Sequence, residues 1–363
     1  MLEKIRLENF KCFETLEIPF RKVNVLTGIN GMGKSTIIQS LLALRQSFLE
    51  TDFQKGLCLN GRYVRLGNGQ DILYEKPSKD RIEIAIRENG TDWDCAFAYS
   101  PEEDVQPWET RPVHSPEGLS PFGNGFIYLS ANRITPQELY EITNEQNLKN
   151  REFNGNGEYA LQFLNEFGSG EIHNKKVLIP DKLGNTLANQ VRMWMDEISP
   201  GVSPQIRVDK QLRKSEVRYE YIEGRNKTNS YKSVNVGFGI TYVLPVVIAL
   251  LSAKENDLII LENPEAHIHP RGQRKLGELI AAAGAGNAQI LVETHSDHIL
   301  NGIRIAVKNR ILSAEDTNLL YFYKDDEDYK HKVKRPEIRE DGRISEWPDG
   351  FLDEWDKALM ELL

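Results

Sequence analysis

Residues 28–35 read Gly28-Ile29-Asn30-Gly31-Met32-Gly33-Lys34-Ser35, a full match to G-x-x-x-x-G-K-[ST]. Each residue type has a task in holding a polyphosphate. The glycines let backbone N–H groups curl around phosphate oxygens, and a following helix adds the positive end of its dipole. Lys34 can reach β- and γ-phosphates, and Ser35 can ligate Mg²⁺. Asn30, Gly31, Gly33, Lys34, Ser35 and Thr36 are therefore the expected nucleotide-binding residues, with ATP or GTP and magnesium as the expected ligands.

A second polar group follows much later. The apolar run Leu258-Ile259-Ile260-Leu261 ends in Glu262-Asn263-Pro264-Glu265, and Ile290-Leu291-Val292 ends in Glu293-Thr294-His295-Ser296. Carboxylates at the carboxyl ends of sheet strands stand where nucleotide and magnesium sit in open α/β folds. Glu262 is read as the magnesium-side carboxylate, and His295 as a group able to meet a γ-phosphate.

The elements that must position these residues can be read from periodicity. KIRLENF and VNVLTG read as strands, the second running through the glycine turn into the amphipathic helix STIIQSLLALRQSFL. Short alternating stretches in residues 57–100 (RYVRLG, DILYE, RIEIAIRE and DCAFAYS) predict an antiparallel β-subdomain, and residues 101–126, rich in Pro, Gly, Glu and Ser, predict a surface loop ending at the strand FIYLSA. In residues 135–199 the pattern is helical, with Leu187, Val191, Met193, Trp194 and Ile198 on one face. Strands PQIRVDKQ and EVRYEYIE precede NVGFGITYVLPVVIALLSA, a glycine turn opening into a long apolar helix. The last third alternates strands and helices in a βαβ pattern, which predicts a parallel sheet. The expected fold class is α/β: a nucleotide-binding head with a parallel core sheet, an antiparallel β-subdomain and a helical insertion. Its expected divisions are residues 1–134, the helical insertion 135–200, and residues 201–363.

Composition narrows the setting. The chain has 363 residues and 40% hydrophobic content, enough for one large or two modest cores. No stretch approaches the roughly 18 to 20 apolar residues that a membrane span needs, and the three cysteines, Cys12, Cys58 and Cys95, lack any CxxC spacing. A cytoplasmic protein without a membrane partner is expected. A net charge of −9 argues against coating nucleic acid by bulk electrostatics, while leaving room for a local basic face.

The phosphate loop near the start, LIILENPEAHIHP far along the chain and then ETHSDH together resemble ABC-type ATPases of the SMC, RecF and OLD group, whose first strand KIRLENFKCF also resembles. LNGRYVRLGNGQDILYE, NVGFGITYVLP, ETHSDHILNGIRIAV and DGRISEWPDGFLDE resemble a bacterial group of small single-chain, AAA-annotated ATPases often linked to phage defence. The resemblance covers both ends of the chain and misses most of the middle. It implies an ATPase in which two heads pair and sandwich ATP, with Lys34 and Ser35 on phosphate and magnesium, Glu262 on magnesium, and His295 as the histidine switch. It places Asn235, Gly237 and Gly239 of NVGFG at the signature position that caps a partner's ATP. Gln70 takes the glutamine-loop position, with Gln39 and Gln46 as competitors. His267 and His269 fall in the loop that touches the partner head; a transition-metal centre built from His267, His269, His295 and His298 with Asp297 and Glu265 is the alternative.

Two residues depart from the family pattern. Asn263 stands where the water-activating glutamate is expected, and an amide cannot act as a general base. Glu265 could take over, or hydrolysis could be slow, which suits a switch. NVGFG replaces the usual serine and glycine pair of the signature. No stretch resembles the nuclease module of OLD proteins, so the expected partners are a second copy and an effector encoded nearby, a nuclease or toxin in anti-phage defence. The rivals are a RecF-like DNA maintenance ATPase and a non-hydrolysing scaffold. Lys210, Arg213, Lys214, Arg218, Arg225, Lys227 and Lys232, interleaved with Tyr219, Tyr221 and Tyr231, admit DNA or RNA contact, but Glu216, Glu220 and Glu223 favour an ordinary solvated hairpin. Arg133 is read as a cation for phosphates or a partner, or as the mate of an acidic neighbour. Trp347, Phe351, Trp355 and Leu359 are expected to dock a short C-terminal helix on the core.

Overall fold

The computed structural model describes all residues except 51–53, 181–183, 225, 349, 352–353 and 363, and the side chains of 223 and 354–356 also lie outside the description. Arg225 and the side chains of Glu223 and Trp355 are thus outside the described residues. The chain forms two compact units: Met1–Gly123 with Asn318–Pro336 and Glu346–Leu363, and Asn124–Thr317 with Glu337–Ser345.

The first unit holds an antiparallel sheet in the order Phe13–Pro19, Leu2–Phe10, Arg81–Glu88, Thr91–Ala98, Val105–Thr110, Gly56–Cys58. Alternation explains its one-sided core: Ile5 and Leu7 are buried while Lys4, Arg6 and Glu8 between them are not, and Ile82, Ile84 and Ile86 repeat the pattern on the neighbouring strand. Val105–Thr110 corrects the expected surface loop. VQPWET lacks clear alternation, yet Trp108 packs on Phe97 at 4.6 Å and buried Gln106 bonds both the N–H and the C=O of Ser100, so tertiary contacts build a strand that local pattern does not announce. The alternating stretch DILYE is also corrected, because its start belongs to the short helix Gly69–Ile72.

The same unit contains Val23–Gly28, five of whose six residues are fully buried, next to Thr317–Lys324 and then His331–Lys334. It leads into the helix Lys34–Glu50. Near the C-terminus, Phe351 is buried edge-on to Tyr321 at 5.5 Å, with Trp347 5.1 Å from it, as expected. Leu359 of the helix Glu354–Leu362 is exposed, which corrects its expected docking.

The second unit carries the parallel strands Phe126–Leu129, Leu258–Glu262 and Gln289–Glu293, with Leu258–Glu262 in the middle. The helices Pro270–Ala285 and Asp297–Lys308 pack closely where Gly277 meets Gly302; a Cβ on Gly277 would stand 2.2 Å from the Ile299 carbonyl. The helix Leu187–Ile198 buries the face read from sequence, including Val191, Trp194 and Ile198. Val202–Asp209 and Lys214–Glu223 form an antiparallel ribbon. After it the helix Phe238–Leu251 is buried without interruption from Thr241 onward, in keeping with its all-apolar sequence. The mixed architecture with parallel core strands is the α/β fold expected.

Candidate functional site

The phosphate loop sits in the first unit between Val23–Gly28 and Lys34–Glu50. Two glycines are obligatory for separate reasons. Gly28 has φ +140° and lies against Phe322, whose carbonyl oxygen would be 2.2 Å from a Cβ; Gly33 has φ +97°, and a Cβ there would meet the Cys12 sulfur at 2.7 Å. Lys34 is only 4% exposed, and its ammonium donates to the Gly28 and Ile29 carbonyls at 2.9 and 3.0 Å, which holds it within the loop. Ser35 is half-buried and Thr36 buried at the helix start, while Asn30 and Gly31 are exposed at the loop tip. His331 bonds the backbone of Gly31; burial first and the charge of Lys324 second push its pKa down, with that bond opposing them.

The three candidate glutamines differ in occupation. Gln46 is fully buried, donating to the Cys58 carbonyl at 2.9 Å and accepting from the Val64 N–H at 3.0 Å, so its amide is committed to structure. Gln39 accepts from the Lys11 ammonium at 2.6 Å. Gln70 is exposed on the helix Gly69–Ile72.

The second unit gathers Glu262, Asn263, Glu265 and His295 at the carboxyl ends of two paired parallel strands, whose register sets Glu262 beside Glu293. One Glu262 oxygen accepts from the Ala131 N–H at 3.0 Å. Burial raises the Glu262 pKa, against the Ala131 N–H, the Tyr128 hydroxyl and the charge of Arg133. The next residue, Asn263, has φ +43°, a left-handed conformation that asparagine tolerates better than most residues. Its N–H donates to the Glu293 carbonyl at 2.8 Å, and its side-chain oxygen is buried without a hydrogen-bond partner. Glu265 is 8% exposed; Oε1 accepts from the His295 N–H at 2.9 Å and Oε2 is buried without a partner. Burial raises its pKa too, opposed first by the His295 N–H. The His295 residue itself is exposed. A magnesium ion that keeps most of its waters needs only one or two protein carboxylates, and the largely buried Glu262 carboxylate fits that demand, while the unpartnered Asn263 and Glu265 oxygens suit a water.

Arg133 corrects both sequence expectations for it. It is 2% exposed, and it pairs with four carbonyl oxygens rather than with an acid or an outward ligand. These belong to Ser130 (2.7 Å), Glu262 (2.6 Å), Asn263 (2.7 Å) and Tyr242 (3.3 Å), and the guanidinium also lies 4.1 Å over the Tyr242 ring. Burial lowers its pKa to about 10, so the cation persists at neutral pH.

The signature turn meets the same region. Gly237 precedes the first turn of Phe238–Leu251, and Asn235 is exposed just before it. Gly239 lies against the His267 backbone, where a Cβ would stand 2.1 Å from the carbonyl oxygen. The His267 ring, on a residue with φ +63°, packs edge-on to Phe238 at 4.6 Å and to Tyr242 at 5.4 Å. His269 caps Pro270–Ala285, its Nδ1 accepting from the Arg271 N–H at 3.3 Å. Among the described residues no group of three or more His, Cys, Asp or Glu could hold a metal ion. The basic ribbon is laced with acids: Lys210 with Glu166, Lys214 with Glu141, Arg218 with Glu216, Lys227 with Glu220 and Lys232 with Glu138.

Sequence reasoning missed Tyr128, Ala131 and Tyr242, and misassigned Arg133. Tyr128 and Ala131 act through a strand and loop far from Glu262 in sequence, and Tyr242 sits inside an apolar helix, so none carries a local signal.

Residues 23–301 match the protein family described as "AAA domain, putative AbiEii toxin, Type IV TA system". The chain belongs to this AAA family. A second match, over residues 312–362, is to "Protein of unknown function (DUF3696)". No curated protein matches the sequence. Among solved structures, an Smc head bound to the C-winged helix domain of ScpA is similar at TM-score 0.58 with 15% identity, covering 93% of this chain and 98% of that one. The Smc head domain with an extended coiled coil, bound to the C-terminal domain of ScpA derived from Pyrococcus furiosus, is similar at TM-score 0.52 with 14% identity over 99% of each chain. This AAA-family chain is thus a P-loop ATPase domain with the fold of an SMC head. Among its described residues no helix is long and apolar enough to cross a membrane.

Proposed function

We propose that the chain binds ATP with magnesium and hydrolyses it slowly, as a nucleotide-controlled switch whose working form is a pair of heads. Lys34 and Ser35 hold phosphate and metal, assisted by Asn30, Gly31, Gly33 and Thr36, and Glu262 supplies the metal-side carboxylate. Magnesium, when bound, neutralises charge building on the phosphates. Asn235, Gly237 and Gly239 cap the partner's nucleotide, and Gln70, exposed where Gln46 is committed to structure, serves as the glutamine-loop residue.

The observation that carries this reading is the state of Glu265 in the turn after Glu262, from which we infer an exchange of roles with Asn263. Asn263 cannot take a proton, but Glu265 is a buried carboxylate with a raised pKa and one oxygen without a hydrogen-bond partner. A base poised nearer neutrality is suited to taking a proton from water. Its Oε1 holds the His295 N–H, so the base and the histidine switch are coupled. Asn263 orients water, and slow turnover follows from the displaced base.

A switch needs something to act on. The wording of the matched family, a putative toxin and a toxin–antitoxin system, supports a place in a toxin-like system; the effector partner and its role in defence against phage are our own extension of that reading. The ScpA domain bound to an Smc head in the similar structure supports the narrower point that a head of this fold can seat a protein partner. The DNA-binding alternative is disfavoured by the acids paired with the basic ribbon, and the non-hydrolysing scaffold is the outcome in which Asn263 leaves no usable base. The experiment is co-purification of the chain with the product of its neighbouring gene, with ATP and with ADP. Capture that depends on the nucleotide supports the switch; capture indifferent to it, or none, contradicts it.

A further inference from the structure

The signature turn and the catalytic turn of one chain share a set of contacts that the proposed chemistry does not itself require. Tyr242 stands one turn beyond Gly239 on the helix Phe238–Leu251. Its hydroxyl donates to the Ala131 carbonyl, and the Ala131 N–H donates to a Glu262 carboxylate oxygen at 3.0 Å. Arg133, two residues further along that loop, grips Tyr242 at both its ring and its carbonyl, and with its remaining donors holds the Glu262 and Asn263 carbonyls. Five N–H donors in a fixed plane make guanidinium the one side chain that can serve carbonyls from three separate segments at once.

We propose that Arg133, with Tyr242, is a positioning device that couples the signature helix to the catalytic turn of the same chain, so that engagement of the signature turn by a partner's nucleotide sets the geometry of Glu262 and Asn263. The coupling rests on the head pairing proposed above. The Arg133 guanidinium is buried and every link in the set is made, the Ala131 bond to Glu262 lying at the exposed edge of the loop, so a shift of the Ser130–Arg133 loop would move the helix or the turn with it. The Gly239 contact with the His267 carbonyl adds a second brace, because a signature turn that moves presses on the segment following Glu265. A buried cation whose hydrogen-bond acceptors are carbonyls rather than carboxylates is costly to build, and it stands here where it ties three segments together.

The test compares Arg133→Lys and Tyr242→Phe in the full chain. Lysine keeps the charge but has neither the planar fork nor the reach for four carbonyls; phenylalanine keeps the ring beneath Arg133 and loses only the bond to Ala131. Arg133→Lys lowers kcat by about tenfold or more while the ATP Kd, read by isothermal titration, moves less than about threefold, as expected of a misplaced catalytic turn. Tyr242→Phe lowers kcat by roughly threefold to tenfold, the worth of one hydrogen bond, and the double variant loses less than the product of the two. Independently of turnover, amide exchange of residues 262–266 quickens in Tyr242→Phe with the melting temperature little changed. An unaltered kcat in Arg133→Lys, or exchange in Tyr242→Phe that rises evenly through the second unit, overturns the coupling. Failure of the ATPase reading shows instead in the unaltered chain, as no turnover above a Lys34→Ala blank, and the exchange measurement then decides the coupling alone.

Discussion

The phosphate loop and the turn after Glu262, to which we assign parts of one reaction, are built on opposite principles. The loop works through its backbone: glycines at Gly28 and Gly33 permit close approaches, and Lys34 is held by carbonyls of the loop itself. The turn works through partners remote in sequence, Ala131 and Tyr128 on Glu262, Arg133 on the Glu262 and Asn263 carbonyls, and the His295 N–H on Glu265. A site made by local backbone tolerates little variation and declares itself as a motif. A site made by converging segments can exchange the task of one residue for that of its neighbour, as we propose for Asn263 and Glu265.

The largest expected effect tests that exchange. Glu265→Gln should reduce turnover by on the order of 100-fold or more, the usual worth of a positioned base, while the Gln oxygen still accepts the His295 N–H. The same substitution should stabilise the fold at pH 7. Because burial raises the Glu265 pKa above its unfolded value, the folded state holds the proton longer, and wild-type stability falls as pH rises from about 4.3 through the folded pKa. The variant lacks that loss, so thermal melts should show its advantage at pH 7 and show it vanishing as pH drops toward 4. Retained turnover, or no gain in melting temperature at pH 7, would remove Glu265 from the base position.

Gly239→Ala tests whether the second region is as tightly packed as the loop. The added methyl meets the backbone oxygen of His267, which cannot rotate aside. Destabilisation of about 1–3 kcal/mol is expected from such overpacking, with turnover lost alongside it. Chemical denaturation measures the first, and a silent substitution would mean the signature turn is free of the His267 loop.

Asn263→Asp is the smallest and sharpest change. Aspartate shares asparagine's tolerance for left-handed backbone, whereas glutamate would add strain at φ +43°. A several-fold rise in steady-state turnover is expected if the amide is what slows the reaction. A fall would mean that the buried Oδ1 position needs a neutral group, because a second carboxylate beside Glu262 and Glu265 raises the cost of ionising any of them.

The same contrast explains what the sequence made legible. G-x-x-x-x-G-K-S between an apolar strand and an amphipathic helix is a local pattern with a local cause, and the βαβ alternation of the last third likewise gave the parallel strands Leu258–Glu262 and Gln289–Glu293. Val105–Thr110 stayed hidden because its pairing is secured by Trp108 on Phe97 and by Gln106 on Ser100, contacts without periodicity. Arg133 was visible as a residue but not as a hub, since its four acceptors are backbone carbonyls that any sequence supplies. Gln46 looked equal to Gln70 until its two hydrogen bonds showed where its amide is committed.

The account turns most directly on ATP hydrolysis per chain as protein concentration is varied widely, with Lys34→Ala as the blank. Paired heads with a displaced base predict slow turnover, absent in the blank, whose rate per chain climbs with concentration and then levels off. Turnover per chain that is constant from the lowest concentration at which the protein is monomeric would contradict the paired site.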